Sequence, residues 1–495
     1  MIAPFPAIAD GFSSRARPVL QGDRGAVSAA HPLAAAAGQS MLAQGGSAVD
    51  AGIAAQAVLA VLAPDACGLG GDVFALVGDA RETLAVNGAG AAPMRMTTAT
   101  DDGPNSITVP GLVGGWDALH RRWGRLPLAE VLAPAIRLAG AGHPVPPVLA
   151  RAVAAQRARL TRHGADGWAL MNLAVGERFR QPALAALLRA IEAQGADAFY
   201  RGDAAAAIEA AVCGRGGALD RADLTAHETE VRPALTIDHG ALSIAVQPAP
   251  TQGVLLAMAL KGLAGWSPKD AQAADHLCVE LTEAAFAYRD RAFEGEELLD
   301  IPLAVDPAKA SGRGGPRAYL HTAGVAAADA DGLVMSSLVS VFDDFGSCVF
   351  VPELGITLNN RAGGFTSGAN AAAPGKRPVH TLAPALVRSG DSLVALATPG
   401  ADGQVQTLLQ VIDRIGRRGE DLAAAVAAPR WRSEGGALLI EEDHPSIAAL
   451  GALGHAVRPT PAGDMRFGAI ACAGSIAGLP VAVADWRRLS WAGVA

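Results

Sequence analysis

Among the residues able to do chemistry, one threonine stands at the head of a run of short strands. Thr322 opens the segment TAGVAAADADGLVMSSLVSVFDDFGSCVFVPELGITLNNRAGGF, residues 322–365. An apolar run follows it at Val325–Ala328. Asp329-Ala330-Asp331-Gly332 then reads as a hairpin turn, since Asp and Gly tolerate the positive φ that tight hairpins need. Leu333–Val341 reads as a second strand, Phe345-Gly346-Ser347 as a break, and Cys348–Val351 and Ile356–Asn359 as further short strands. A threonine hydroxyl is a weak nucleophile near neutral pH and needs a base beside it. A free α-amine has a reference pKa of about 7.7–8.0 and can be that base. The chemistry therefore requires a cut between His321 and Thr322, after which the amine and hydroxyl of one residue act together. The stiff β-branched side chain limits the entropy lost in aiming the oxygen. On these residues alone, an ordinary strand-start threonine is the readier reading.

The elements that must position Thr322 are those of a large α/β chain. At 495 residues the protein can bury an extensive core. Its hydrophobic fraction is 51% but only 4% is aromatic, so the apolar material is mostly alanine and small aliphatic residues. Ala26–Ala63 reads as mostly helical, with Gly45-Gly46 ending one helix and Ser47 with Asp50 capping the next. GLGGDVFALVGD (68–79) reads as a glycine turn entering a strand, and it lacks the GxGxxG spacing and GK[ST] ending of phosphate loops. SITVPGLVGGW (106–116) reads as a strand and a glycine-rich turn. Helical patterns follow over Leu128–Gly140, Val148–Leu160, Pro182–Ala193, Gly202–Ala211 and Ala271–Phe293. Residues 306–321 have linker-like composition just before Thr322. Strands with two flanking sets of helices imply a layered α/β sandwich.

Composition excludes several functions. A net charge of −8 with scattered basic residues argues against a nucleic-acid surface. No run of 18 apolar residues suggests a membrane span, and the first twenty residues lack the pattern of a secretory signal. Cys67, Cys213, Cys278, Cys348 and Cys472 are odd in number, widely spaced and without a CxxC, so neither a disulfide framework nor a zinc site is indicated. A reducing cytoplasm is the expected setting.

Ordered pieces along nearly the whole chain resemble the γ-glutamyltranspeptidase superfamily of N-terminal nucleophile hydrolases. They are AAGQSMLAQGGSAVDAGIAAQAVLAVLAPDACGLGGDVFALV (36–77), VPGLVGGW (109–116), GRLPLAEVLAPAIRLA (124–139), PAPTQG (248–253), FGS (345–347), GITLNNR (355–361), GKRP (375–378) and ADWRR (484–488). The resemblance implies a four-layer αββα sandwich and a proenzyme that cuts itself before a threonine, here Thr322. Residues 1–321 would become a large subunit and 322–495 a small one, interlocked as one domain; a dimer of such heterodimers is one arrangement it allows. No metal or organic cofactor is called for. It further implies that Ser340 hydrogen-bonds the nucleophile and its amine, and that backbone N–H groups at Gly400 and Ala401 make the oxyanion hole.

Departures from the family pattern bear on substrate. Thr322 is followed by Ala323-Gly324 rather than Thr-His. Ala89 stands nearest to the arginine that grips a glutamyl carboxylate, Gly364 replaces the acid that grips its ammonium, Phe342 replaces a polar residue, and His380-Thr381 replace a serine pair. A buried ammonium and carboxylate each need a partner, so γ-glutamyl compounds are expected to be poor substrates. The NNR and KRPxHT segments resemble instead the oxamate-amidohydrolase and acylase branch. That implies hydrolysis of a small carboxylate-bearing amide, with Arg361 gripping the carboxylate and Asn360, Phe342, His380 and Thr381 around it. The alternatives are a γ-glutamyltransferase or glutathione hydrolase, a cephalosporin-type acylase, and an unprocessed binding homologue.

Overall fold

The computed structural model describes residue 15, residues 17–313 and residues 322–495. Fourteen strands make two sheets. In chain order they are β1 (Leu20–Gln21), β2 (Gly25–Ala29), β3 (Asp72–Gly78), β4 (Thr83–Gly88), β5 (Glu230–Pro233), β6 (Leu235–His239) and β7 (Leu242–Val246). After them come β8 (Ala323–Asp329), β9 (Val334–Ser340), β10 (Ala385–Ser389), β11 (Ser392–Ala397), β12 (Ala471–Ile476), β13 (Leu479–Ala484) and β14 (Trp491–Val494). One sheet runs β14-β2-β8-β9-β3-β4-β5 and the other β1-β13-β12-β11-β10-β7-β6. Every neighbouring pair in both is antiparallel.

The period-2 alternation of strands sorts the core into three layers of contact. In β8, Val325 and Ala327 face the helices α1 (Pro32–Ala43) and α2 (Ala48–Leu62), while Ala326 and Ala328 face the other sheet. In β3 the same split puts Val73, Ala75 and Val77 on the helix side and Phe74 and Leu76 between the sheets. The second sheet packs its outer face on α3 (Gly253–Ala264), α4 (Ala271–Phe286) and α5 (Gly403–Gly416). The result is the expected four-layer αββα sandwich. The layer between the sheets is mostly alanine, which accounts for an apolar but aromatic-poor composition. Ser336 Oγ donates to the Leu396 carbonyl at 2.8 Å and Ser28 Oγ to that of Val483 at 2.9 Å, tying the two sheets together.

Several local expectations need correction. Gly25–Ala29 is an interior strand, not part of a helical run. Over 106–116 there is no strand; a short turn at Pro104–Ser106 leads to the helix Leu112–Trp123. Gly115 lies inside that helix because a Cβ there would sit 2.1 Å from Val73 Cγ1. The glycines permit helix–sheet contact and do not mark a turn. The helix expected over Ala271–Phe293 ends at Phe286, and the 3-10 turns that follow are interrupted at Gly295, whose φ is 63°.

Candidate active site

Thr322 is buried at the entrance to β8, the third strand of its sheet. The β8–β9 register pairs Ala323 with Val339, so the next position along sets Thr322 against Ser340, the last residue of β9. Thr322 Oγ1 donates to Ser340 Oγ at 3.4 Å, and Ser340 Oγ accepts the Phe342 N–H at 2.9 Å. Phe342 itself adopts φ 86°, a conformation that costs a bulky residue about 1–3 kcal/mol and persists only where its surroundings impose it. His321 lies outside the described residues.

The partner strand on the far side of β9 brings in a residue with no expected role. Ser340 pairs with Asp72, the first residue of β3. Asp72 is fully buried, and its Oδ2 accepts from Arg361 Nε at 3.1 Å and from His380 Nε2 at 3.3 Å. His380 Nδ1 accepts the Leu382 N–H at 3.1 Å, which fixes the neutral Nε2–H tautomer. Burial, reinforced by the Arg361 charge, pushes the His380 pKa down to about 3. Burial also lowers the Arg361 pKa, opposed by Asp72, yet a guanidinium stays charged in proteins. The Arg361 guanidinium carbon lies 4.4 Å from the centre of the Phe342 ring, a cation–π contact. Arg361 is wholly buried, and neither its Nη1 nor its Nη2 has a hydrogen-bond partner among the described residues; Asp72 Oδ1 has none either.

The remaining candidates occupy different positions around this cluster. Asn360 holds the loop: its Oδ1 accepts from the Asp343 N–H at 3.0 Å, and its Nδ2 donates to Asp343 Oδ2 and the Asp101 carbonyl, both at 2.8 Å. Its neighbour Asn359 accepts the Arg361 N–H at 3.0 Å. Thr381 is buried beside His380. A narrow cleft, too tight here to admit a water molecule, lies between Phe74, Ala89, Pro250, Arg361, Arg377 and His380, and Thr322 is not among its walls. Arg377 is committed to the Ala89 and Glu228 carbonyls and to Glu230, which leaves Arg361 as the cleft arginine with unpartnered donors.

Gly400 and Ala401 follow β11. A Cβ on Gly324 would sit 3.0 Å from the Ala397 carbonyl oxygen, so the head of β8 crosses the tail of β11 and the 398–401 loop begins beside Thr322. Gly400 has φ 129° and Ala401 φ 47°, so the alanine takes up the left-handed conformation that usually favours glycine. The carbonyls of both are engaged, by the N–H groups of Gly403 at 2.8 Å and Gln404 at 3.0 Å. Asp402 precedes α5 without capping it through its side chain, and pairs instead with Gln252 and Arg289.

Sequence reasoning missed Asp72. The available signal was a lone carboxylate opening an otherwise apolar strand in GLGGDVFALV, overshadowed by the glycines before it. Those glycines have a packing role: a Cβ on Gly70 would sit 2.1 Å from the Thr357 carbonyl oxygen, and one on Gly71 2.4 Å from that of Ser340. They let the 340 and 357 backbones close over the start of β3, which delivers Asp72 to the cluster.

A four-layer sandwich with a buried hydroxyl residue heading a central strand is the architecture of the N-terminal nucleophile hydrolases. Residues 34–494 match the sequence profile of Gamma-glutamyltranspeptidase, and the chain belongs to that family. It is 36% identical over 445 residues to the oxamate amidohydrolase proenzyme of Klebsiella pneumoniae subsp. pneumoniae, covering 81% of this chain and 84% of the relative. It is 34% identical over 544 residues to the acylase ACY 1 proenzyme of Pseudomonas sp. strain V22, covering 98% and 95%. The solved cephalosporin acylase from Bacillus halodurans superposes with a TM-score of 0.87 at 29% identity, covering 100% of this chain and 99% of that one. The chain is thus a family hydrolase whose homologues include amidohydrolases and acylases made as proenzymes. Among the described residues no helix is long and apolar enough to cross a membrane.

Proposed function

We propose that the protein is a self-processing amidohydrolase that hydrolyses a small carboxylate-bearing amide, oxamate-like in form, through an acyl-Thr322 intermediate. The observation that carries this reading is Arg361. Two unpartnered Nη donors on a wholly buried guanidinium, anchored through Nε, suit a carboxylate held by two parallel hydrogen bonds. A buried charge with donors to spare is costly unless a ligand completes it.

In this reading the Thr322 amine takes the hydroxyl proton as Oγ1 attacks the amide carbon. The tetrahedral oxyanion is met by the Gly400 and Ala401 N–H groups, each typically worth about 2.7–4 kcal/mol. The C–N bond then breaks, the ammonium returns its proton to the departing nitrogen, and ammonia or an amine leaves. Water repeats the sequence on the ester and frees Thr322. Self-cleavage uses the same oxygen on the His321 carbonyl, an N-to-O shift followed by hydrolysis. The cut yields chains 1–321 and 322–495. Strand β8, from the second, lies between β2, from the first, and β9, so the pieces remain interlocked. The whole-length similarity to a cephalosporin acylase favours a second reading, an acylase for longer dicarboxylic monoamides.

The test joins intact mass and N-terminal sequencing to an amide panel read by ammonia or amine release. A new chain starting at Thr322 is expected, with oxamate-like amides turned over faster than γ-glutamyl anilides. Faster turnover of long dicarboxylic monoamides selects the acylase reading. Active material that remains one continuous 50.0 kDa polypeptide overturns the mechanism. T322A should neither cut nor turn over.

A further inference from the structure

Away from the Thr322 cluster, three potential metal ligands converge beneath the segment that leads to the proposed cleavage junction. His276 and Glu280 lie four residues apart on α4, hence on one face. His455 comes from the turn between the helix Ile447–Ala452 and the strand Val457–Thr460. One ligand atom of each lies within 4.8 Å of the other two. His276 and Glu280 are fully buried.

The hydrogen bonds around them orient lone pairs toward a common point. His276 Nε2 lies 2.8 Å from the Asp306 carbonyl. A carbonyl only accepts, so Nε2 carries the proton and Nδ1 keeps its lone pair. A ligating histidine is oriented in this way when its second nitrogen donates to a backbone carbonyl. That Nδ1 faces His455 Nε2 at 2.8 Å. Two imidazole nitrogens on one tetrahedral zinc, at about 2.0–2.1 Å each, stand about 3.3 Å apart. The rings need to part by about 0.5 Å from their hydrogen-bonded spacing.

We propose that His276 Nδ1, Glu280 and His455 Nε2 form a binding site for one divalent transition cation of the zinc class, with water as the fourth ligand. Without the cation the same atoms are satisfied differently. His455 Nε2–H donates to His276 Nδ1, and Glu280 accepts from the Ser311 N–H at 3.0 Å, from Ser311 Oγ and from Arg313 Nη1 at 3.1 Å. Binding shifts the His455 proton to its own Nδ1, releases no net proton, and sets the cation against the Arg313 charge. The consequence for the assembly rests on the cut proposed above: His276 and Glu280 precede the junction and His455 follows it, so the cation would tie the two product chains together. The cation site itself does not need the cut.

The test is a Co2+ titration of the purified full chain, carried out on wild type and on uncut T322A, with Zn2+ as competitor. One saturable equivalent with the visible absorption of tetrahedral Co2+ is expected in both, and Zn2+ should displace it. H455A and E280Q should each abolish the band; the second covers the case in which the first does not fold. R313A should tighten binding about two- to fivefold, the effect of removing one part-exposed opposing charge. Absence of a saturable band, or the same band in folded H455A or E280Q, overturns the site. If wild type is cut, Zn2+ should also raise the urea concentration at which its two chains separate, and that rise should vanish in E280Q. Binding in T322A without any cut in wild type would sink the cleavage reading and leave the cation site standing.

Discussion

Two buried arginine–carboxylate networks sit in this sandwich, and they are completed to different degrees. At the edge of the second sheet Arg430 and Arg487 face Asp485 and Glu441, two cations against two anions, all buried. Arg487 reaches Glu441 through Nε at 3.0 Å and Nη2 at 2.5 Å, and Asp485 through Nη1 at 3.1 Å. Arg430 adds Asp485 and the carbonyls of Phe467 and Val426. Near Thr322, Arg361 hydrogen-bonds one carboxylate, Asp72, shared with His380, and both Nη atoms lack hydrogen-bond partners among the described residues. The chemistry is the same and the satisfaction is not. The fuller network leaves one buried donor, Arg430 Nε, without a partner among the described residues, too little to hold a carboxylate by two parallel bonds. Arg361 instead leaves two donors on one guanidinium, and its one bound carboxylate, Asp72, stands across the sheet from Ser340 beside Thr322, which is why this network is read as the site.

The largest expected effect comes from breaking the closed network. R487M leaves Asp485 and Glu441 buried with only Arg430 between them, and should cost about 3–5 kcal/mol of stability, read as a fall in urea midpoint. R361M should behave differently. Asp72 keeps the His380 donor, so the stability loss should be smaller, while kcat/KM for carboxylate-bearing amides should fall by about 100-fold or more. Equal stability losses with undiminished turnover by folded R361M would erase the distinction.

D72N sharpens the comparison by altering the orienting carboxylate while leaving the guanidinium. Arg361 would lose its charged anchor, and a misplaced guanidinium should lower kcat/KM by about 100-fold, mostly through KM. A pure kcat effect would place Asp72 with the nucleophile, through its cross-strand neighbour Ser340, and not with Arg361. S340A is the matching probe on the other side of that pair. Loss of the hydroxyl that accepts from both Thr322 and Phe342 should slow self-cleavage and turnover by about tenfold, and S340T should restore most of it. Unchanged cutting in S340A would show that the Thr322 oxygen is aimed by something else.

The sequence disclosed the layers and the threonine more readily than the cluster. The run of small apolar residues across 322–341 is a short-range signal, and the hairpin formed where that run and the Asp-Gly turn placed it. Val27 and its neighbours were misread because an alanine-rich strand and an alanine-rich helix look alike over five residues. Asp72, Arg361 and His380 are separated by as many as 308 positions, and their meeting depends on glycines whose need is set by backbone from distant segments. His276, Glu280 and His455 share that property, with 179 positions between the two histidines. No local periodicity reports such convergence; only the register of β3 against β9, and the docking of the 306–313 segment on α4, create it.

Acid should also separate the two networks. The His380 pKa in the fold is about 3, against about 6.5 in an unfolded chain. Between those values the unfolded state binds a proton that the folded state refuses. Its contribution to stability is therefore fully present above about pH 6.5 and is lost as the pH falls through that window. For Asp485, burial pushes the pKa up but Arg430 and Arg487 outweigh it and hold the carboxyl below its usual range. Its contribution is present above the ordinary carboxylate pKa of about 3.9 and is lost only below it. The open network should thus weaken first on acidification, and the closed one should survive to lower pH. His31, His227 and His455, each pushed down to about 4, share the upper window, so no single histidine carries the whole slope. H380Q, which keeps an N–H donor for Asp72 but cannot titrate, should lower the urea midpoint at pH 8, and the gap from wild type should narrow at pH 6 and again at pH 4.5. A gap that stays constant over that range would mean that the His380 proton is not coupled to folding, and the ordering of the two networks by pH would fail with it.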